Sequence, residues 1–181
     1  MPDADRPTTN VVPYAPLETE RLELRELAAP DAAFILELVN DPDWLRNIGD
    51  RGVRSLDDAR AYIANGPAAS YARFGFGLWR VRVKDTPEAI GICGLLKRDT
   101  LDDVDIGFAF LPAARGKGYA LEAAKATLDC ARDRVGLTRV VGIVSPHNAA
   151  SITLLERLGM RFERTLTTPD KLDTALYGCA L

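Results

Sequence analysis

Apolar side chains recur along this chain with two periods, and the switches between them lay out its elements. Over Leu17 to Leu27, Leu22 and Leu24 alternate with Arg21, Glu23 and Arg25, the pattern of a strand with one buried face. Pro30 suits the first turn of a helix whose stripe is Phe34, Ile35 and Leu38. Asn40-Asp41-Pro42-Asp43 stops that helix, because the residue before a proline is pushed out of the helical region. Asp43 to Arg54 mixes Trp44, Ile48, Gly49, Gly52 and several charges, and reads as a loop or broken helix. Ser55 then caps a helix with Asp57 and Asp58 in its first turn and Ala59, Tyr62 and Ile63 on its buried side. Asn65-Gly66-Pro67 is expected to end it.

The middle of the chain is strand-rich. Phe74 to Val83 and Ala89 to Leu96 flank a polar break at Lys84-Asp85-Thr86-Pro87-Glu88. In Val104 to Leu111, Val104, Ile106, Phe108 and Phe110 share one face, and Asp103, Asp105, Gly107 and Ala109 the other. After Pro112 comes a glycine-bearing turn, then a helix with Ala120, Ala124, Leu128, Ala131 and Val135 at helical spacing, closed by Gly136. Arg139 to Val144 is a β-branched strand, Asn148 to Leu158 a helix closed by Gly159, and Arg161 to Thr168 and Leu172 to Leu181 are final strands. Adjacent strands in the middle imply hairpins, so the class is α/β (α+β) with a mixed sheet of about seven strands. Residues 1–16 read as a flexible arm and 17–181 as one domain.

Composition narrows the function classes. A net charge of −3 argues against a nucleic-acid binder, which usually carries a basic excess. The uncharged run Val140 to Leu155 is too short, and too polar at Ser145-Pro146-His147-Asn148, to span a membrane. Met1 to Pro16 lacks the basic start and apolar stretch of a secretory signal. Cys93, Cys130 and Cys179 follow no metal-ligand spacing and suit free thiols in a cytoplasmic protein without a metal.

The most informative segment is Arg115-Gly116-Lys117-Gly118-Tyr119-Ala120, which joins a strand to a helix N-terminus. Backbone amides there have no intrahelical partner and the helix dipole adds positive charge, so a phosphate or pyrophosphate is a natural guest. A Walker A loop needs a hydroxyl residue where Gly118 stands and a glycine where Leu111 stands. A dinucleotide fingerprint needs a small residue at Leu121 and an acid near Val144-Ser145. What remains is R-x-x-G-x-A at the head of a helix.

With that pattern the chain resembles the GNAT superfamily of N-acetyltransferases, and within it the branch of ribosomal-protein serine and alanine N-acetyltransferases. The resemblance rests on four segments in register. They are Leu17-Glu18-Thr19-Glu20-Arg21-Leu22, Asp105-Ile106-Gly107-Phe108, Gly116-Lys117-Gly118-Tyr119-Ala120-Leu121-Glu122-Ala123, and Asn148-Ala149-Ala150-Ser151 leading into Leu155-Glu156-Arg157-Leu158-Gly159-Met160.

The resemblance implies a sheet splayed between the third central strand and the strand beginning at Arg139, with helices on both faces. It implies acetyl-CoA as cosubstrate, its pantetheine arm along the backbone of Phe108, Ala109 and Phe110. Its pyrophosphate would lie on the amides of Arg115, Gly116, Lys117, Gly118, Tyr119 and Ala120, and Asn148 would contact it from the next helix. The acceptor would be a primary amine, of a protein N-terminus or a small molecule, and the enzyme a monomer or homodimer. An α-amine with a pKa near 8 is appreciably neutral at about pH 7.5, whereas a lysine near 10.4 is neutral about once in a thousand. Asp105 is the first candidate base, and Ser151 and Tyr177 are candidates to protonate the leaving thiolate. The family's usual Tyr and Glu fall at Leu155 and Ile143, which keeps open a non-catalytic acyl-CoA sensor. A nucleotide-binding oxidoreductase built on Gly116 and Gly118 is a third reading. His147, the single histidine, reads as a loop residue near the cofactor. Trp44, Trp79, Phe74 and Phe76 fit either an acceptor cleft or the core.

Overall fold

A computed structural model describes residues 13–167 and 173–181. Its strands are β1 (Leu17–Glu18), β2 (Leu22–Glu26), β3 (Leu78–Val83), β4 (Ala89–Leu96), β5 (Asp105–Phe110), β6 (Arg139–Val144), β7 (Arg161–Thr167) and β8 (Asp173–Ala180). They form one sheet in the order β1-β2-β3-β4-β5-β6-β8-β7, antiparallel throughout except between β5 and β6. The expected mixed, mostly antiparallel sheet is therefore present, with eight strands in place of about seven. The extra strand arises because the first run breaks at Thr19, whose Oγ1 accepts the Leu22 amide at 2.9 Å.

Helices cover both faces. On one, α5 (Tyr119–Cys130) and α6 (Ala149–Arg157) pack with Leu22, Leu24, Trp79 and Val81, all fully buried. On the other, α1 (Ala32–Val39), α2 (Pro42–Asn47) and α3 (Leu56–Ile63) enclose Leu27, Trp44 and Ile92. Burying each such side chain contributes roughly 1.5–3 kcal/mol. Trp79 and Phe76 belong to the core, whereas Trp44 and Phe74 also line the cleft described below.

Two expectations about the first half need correction. Asp43 to Arg54 begins with the ordered helix α2, capped by Asp41, whose carboxylate accepts the amides of Asp43 and Trp44 at 3.1 and 3.4 Å. Asn65-Gly66-Pro67 does not end its helix: Ala64–Ala68 continues as a π-helical turn into α4 (Ala69–Phe74). Pro67 has no N–H to give Ile63, and the wider turn accommodates that gap. Gly75, at φ 79°, closes α4 in the left-handed conformation, so β3 starts at Leu78 and not Phe74. Of the expected arm, residues 1–12 lie outside the described residues, as do residues 168–172 between the two final strands.

The site is positioned by the one parallel contact. β6 is paired with β8 along its whole length but meets β5 at a single pair, Asp105 with Val141, beside a Val141 amide to Val104 carbonyl bond of 3.0 Å. Past that pair the two strands part.

Candidate active site

The parting opens a cleft of about 1600 Å³, lined by β5, the end of β6, the glycine turn, the start of α6 and the α2 region. The pairing of β5 with β4 fixes which backbone groups face the opening. Leu111 donates to Ile90 at 2.9 Å, so by antiparallel alternation Ala109 also bonds to β4, opposite Ile92. Ile106, Phe108 and Phe110 therefore turn their N–H and C=O groups toward the gap. Ala109, expected to offer its backbone to a ligand, instead lines the cleft with its side-chain face.

The glycine turn supplies a second set of donors. Gly116 and Gly118 have φ of 73° and 80°, and Gly118 is the N-cap of α5. The first bonded amide of this helix is Glu122, at 3.1 Å from the Gly118 carbonyl, so those of Tyr119, Ala120 and Leu121 have no helical acceptor. A Cβ at Gly116 would meet nothing within 4 Å, which leaves that backbone open to a bulky anion. Amides, a dipole and an open strand edge in one cleft fit a long, extended ligand carrying a pyrophosphate.

Two polar clamps hold the turn. Thr19 Oγ1 donates to Glu122 at 2.5 Å, and the Arg21 amide and Nε donate to the same carboxylate at 2.9 and 2.7 Å. Burial pushes Glu122 up, but these bonds outweigh it and hold the carboxyl below its usual range. Arg21 also donates to the Lys117 carbonyl at 3.0 Å and lies over the Tyr119 ring. On the other side Arg115 gives Nε to the Phe110 carbonyl at 3.0 Å and Nη2 to Asp41 at 2.8 Å, with Asp43 on Nη1. Arg115 thus ties the turn to the N-terminus of α2. The sequence carried no sign of either clamp, because the partners lie far apart along the chain.

Asn148 caps α6, its Oδ1 accepting the Ser151 amide at 3.2 Å, and both residues line the cleft. Asp105 lines it too but is only 1% exposed, and Arg98 donates Nε to its two oxygens at 3.1 and 3.2 Å. Burial pushes its carboxyl up to about 6 against the opposing charge of Arg98. Asp103, on the same face, is instead paired with Arg139 at 2.9 Å. Tyr177 is not brought to the cleft: it is buried on β8 with its ring edge-on to Phe162. Leu155 and Ile143 line the cleft as apolar walls, and His147 lies at its rim near Arg46 and Asn47. Cys93 is buried against Thr127, its thiol pushed up to about 12, and plays no part.

The acetyltransferase (GNAT) domain family matches residues 21–161. The chain is 30% identical to YkkB of Bacillus subtilis over 153 residues, 83% of this chain and 87% of that one. It is similar to the acetyltransferase of Agrobacterium tumefaciens, with 28% identity, a TM-score of 0.78, and 91% and 94% of the two chains covered. It shares its fold with RimL, the ribosomal L7/L12 alpha-N-protein acetyltransferase solved with coenzyme A. There the identity is 18%, the TM-score 0.77, and the coverage 90% and 96%.

Proposed function

The chain belongs to the GNAT acetyltransferase family, and from that premise we propose that it transfers an acetyl group from acetyl-CoA to a primary amine by direct attack in a ternary complex. The observation that carries this is the meeting, in one cleft, of the open β5 edge with the unpaired amides at the head of α5. The cosubstrate supplies an activated thioester; the chain's residues do the rest. Phe108 pairs its N–H and C=O with the pantetheine arm as an added strand. The amides of Gly116 to Ala120 hold the pyrophosphate, and Asn148 closes on it from α6. The amide of Phe110, free on the gap side, faces the thioester carbonyl oxygen and polarises it. Asp105 takes the proton of the amine. A carboxyl near 6 is ionised at neutral pH and is a better proton acceptor than one at an ordinary 3.8. Ser151, one turn into α6, relays a proton from water to the thiolate, its own hydroxyl being restored in the same step.

The acceptor is a protein N-terminal α-amine, the substrate type in RimL's name, or a small-molecule amine. The work is expected in the cytoplasm; among the described residues no helix is long and apolar enough to cross a membrane. Leu155 and Ile143, apolar where the family's usual acid and base stand, favour a second reading as an acyl-CoA sensor. Thermal unfolding with acetyl-CoA, coenzyme A and NADH in parallel tests the first step. A ligand at about 100 times its Kd adds about 2.7 kcal/mol. Stabilisation by acetyl-CoA followed by amine-dependent thiol release supports the enzyme. Stabilisation without release from any amine favours the sensor, and a shift with NADH alone refutes both.

A further inference from the structure

The cleft is lined by guanidinium groups that acetyl transfer to an amine does not itself use. Arg98 spends only its Nε on Asp105; its two terminal nitrogens have no hydrogen-bond partner among the described residues. Arg51 has neither an ion-pair nor a hydrogen-bond partner among them, although its loop is firmly held on both sides. Asp50 accepts the Gly52 amide at 2.8 Å and pairs with Arg54 at 2.5 Å, while Asn40 donates to the Val53 carbonyl at 2.9 Å and accepts from Arg54 at 2.9 Å. The neighbours of Arg51 are thereby used up on one another, and its backbone is fixed with the guanidinium left over. Arg51 and Arg98 both line the cleft with Tyr62. Burial raises the Tyr62 hydroxyl pKa, and the charges of the two arginines act on it in the opposite direction. Asp105 balances the charge of Arg98, and Asp41 and Asp43 are held by Arg115, which leaves Arg51 without a carboxylate partner among the described residues.

We infer that the acceptor is an amine that also bears a carboxylate or phosphate a few bonds from its nitrogen, with Arg51 and the free edge of Arg98 binding that anion beside Tyr62. A bare monoamine or polyamine would leave Arg51 without a counter-charge, whereas an amino-acid-like acceptor neutralises it. Arg98 then serves both ends of the acceptor, holding the proton-accepting Asp105 in place with one nitrogen and binding the anion with the others. The anion is either the acceptor's own carboxylate, as in a free amino acid, or the side chain of an acidic residue near a peptide N-terminus.

This inference rests on the acetyl-transfer reading, and the experiment separates the two. Thiol release from acetyl-CoA is measured with free L-amino acids against their carboxamides, and with C-amidated peptides beginning Ser-Asp against Ser-Asn. The anionic member of a pair is expected to have a kcat/KM about tenfold higher or more, as charge-assisted hydrogen bonds would give. The series that shows the preference identifies the source of the anion. In Arg51→Gln the preference collapses while stabilisation by acetyl-CoA is retained. Equal or better turnover of the neutral members, or an Arg51→Gln loss that falls equally on both, overturns the inference. If none of these amines turns over, the same compounds are tested for thermal stabilisation of the coenzyme A-saturated protein. Stabilisation by anionic members, lost in Arg51→Gln, supports the inference, and its absence overturns it. Failure of acetyl-CoA itself to stabilise the protein refutes the proposed function instead.

Discussion

Asp105→Asn should make the protein more stable at neutral pH and less active, and the stability change can be worked out from the buried carboxyl. Burial raises its pKa from 3.8 to about 6 even with Arg98 alongside. The folded chain thus binds the proton more tightly than the unfolded one. The favourable contribution is complete below pH 3.8 and is lost as pH rises through 6. A displacement of about two pKa units corresponds to ~3 kcal/mol. Asparagine keeps the shape and does not titrate, and Arg98, 37% exposed, can hydrate once its partner is neutral. Urea unfolding of both proteins from pH 4 to 7.5 isolates the effect, since every other titration cancels in the difference. The stability of the wild type relative to Asp105→Asn should fall by up to ~3 kcal/mol across that range, most steeply between pH 4 and 6. In the same variant kcat/KM should drop, and the acidic limb of the wild-type rate profile near pH 6 should disappear. A flat difference, or one that rises with pH, would mean that Arg98 dominates and the carboxyl is an ordinary ion-pair member, refuting the reasoning.

Gly118→Ala forces an alanine to φ 80°, which should cost about 1–2 kcal/mol and shrink the thermal shift given by acetyl-CoA. Gly94→Ala should be far worse, because its Cβ would fall 1.9 Å from the Gly77 carbonyl oxygen; loss of soluble, folded protein on expression is the expected result. Arg115→Ala releases Asp41 and Asp43 and should lower stability by about 1 kcal/mol, while steady-state kinetics show a larger rise in KM for the amine than for acetyl-CoA. Asn148→Ala removes the cap of α6 and should cost about 1 kcal/mol in denaturant unfolding, together with a higher KM for acetyl-CoA.

Local signals carried most of the fold. Alternation placed β2 and β5, the polar break after Val83 placed the start of β4, and the glycine turn placed the head of α5, because each is decided by residues within a few positions of one another. The helical run through Pro67 was missed because a proline normally ends a helix, and here a single wide turn absorbs its missing donor. The break after β1 was missed because Thr19 turns the chain and reaches Glu122 in one stroke, and only the second contact explains the first. The candidate site divides the same way. Asp105, Asn148 and Ser151 were legible by position and all reach the cleft. Tyr177 was named as a hydroxyl on a late strand, and only the order β6-β8-β7 shows that its ring turns toward β7 and away from the cleft. Arg98 and Arg51 gave no signal beyond charge, since what distinguishes them is which of their neighbours are already taken.

The single bridge between β5 and β6 makes this sheet two leaves sewn by one stitch, with a raw selvage running down the inside of the domain. Unpaired strand edges are normally exposed on a protein's flank, where they recruit other chains unless charges or coverings prevent it. Here the edge faces a slot walled by α5, α6 and α2, open to an extended molecule. The backbone donors and acceptors along it are thereby turned inward, away from other chains. Filling the slot completes the fabric. Amide exchange in β5 and β6 should slow on loading, and the β6-β8-β7 leaf should gain rigidity together with its counterpart across the seam.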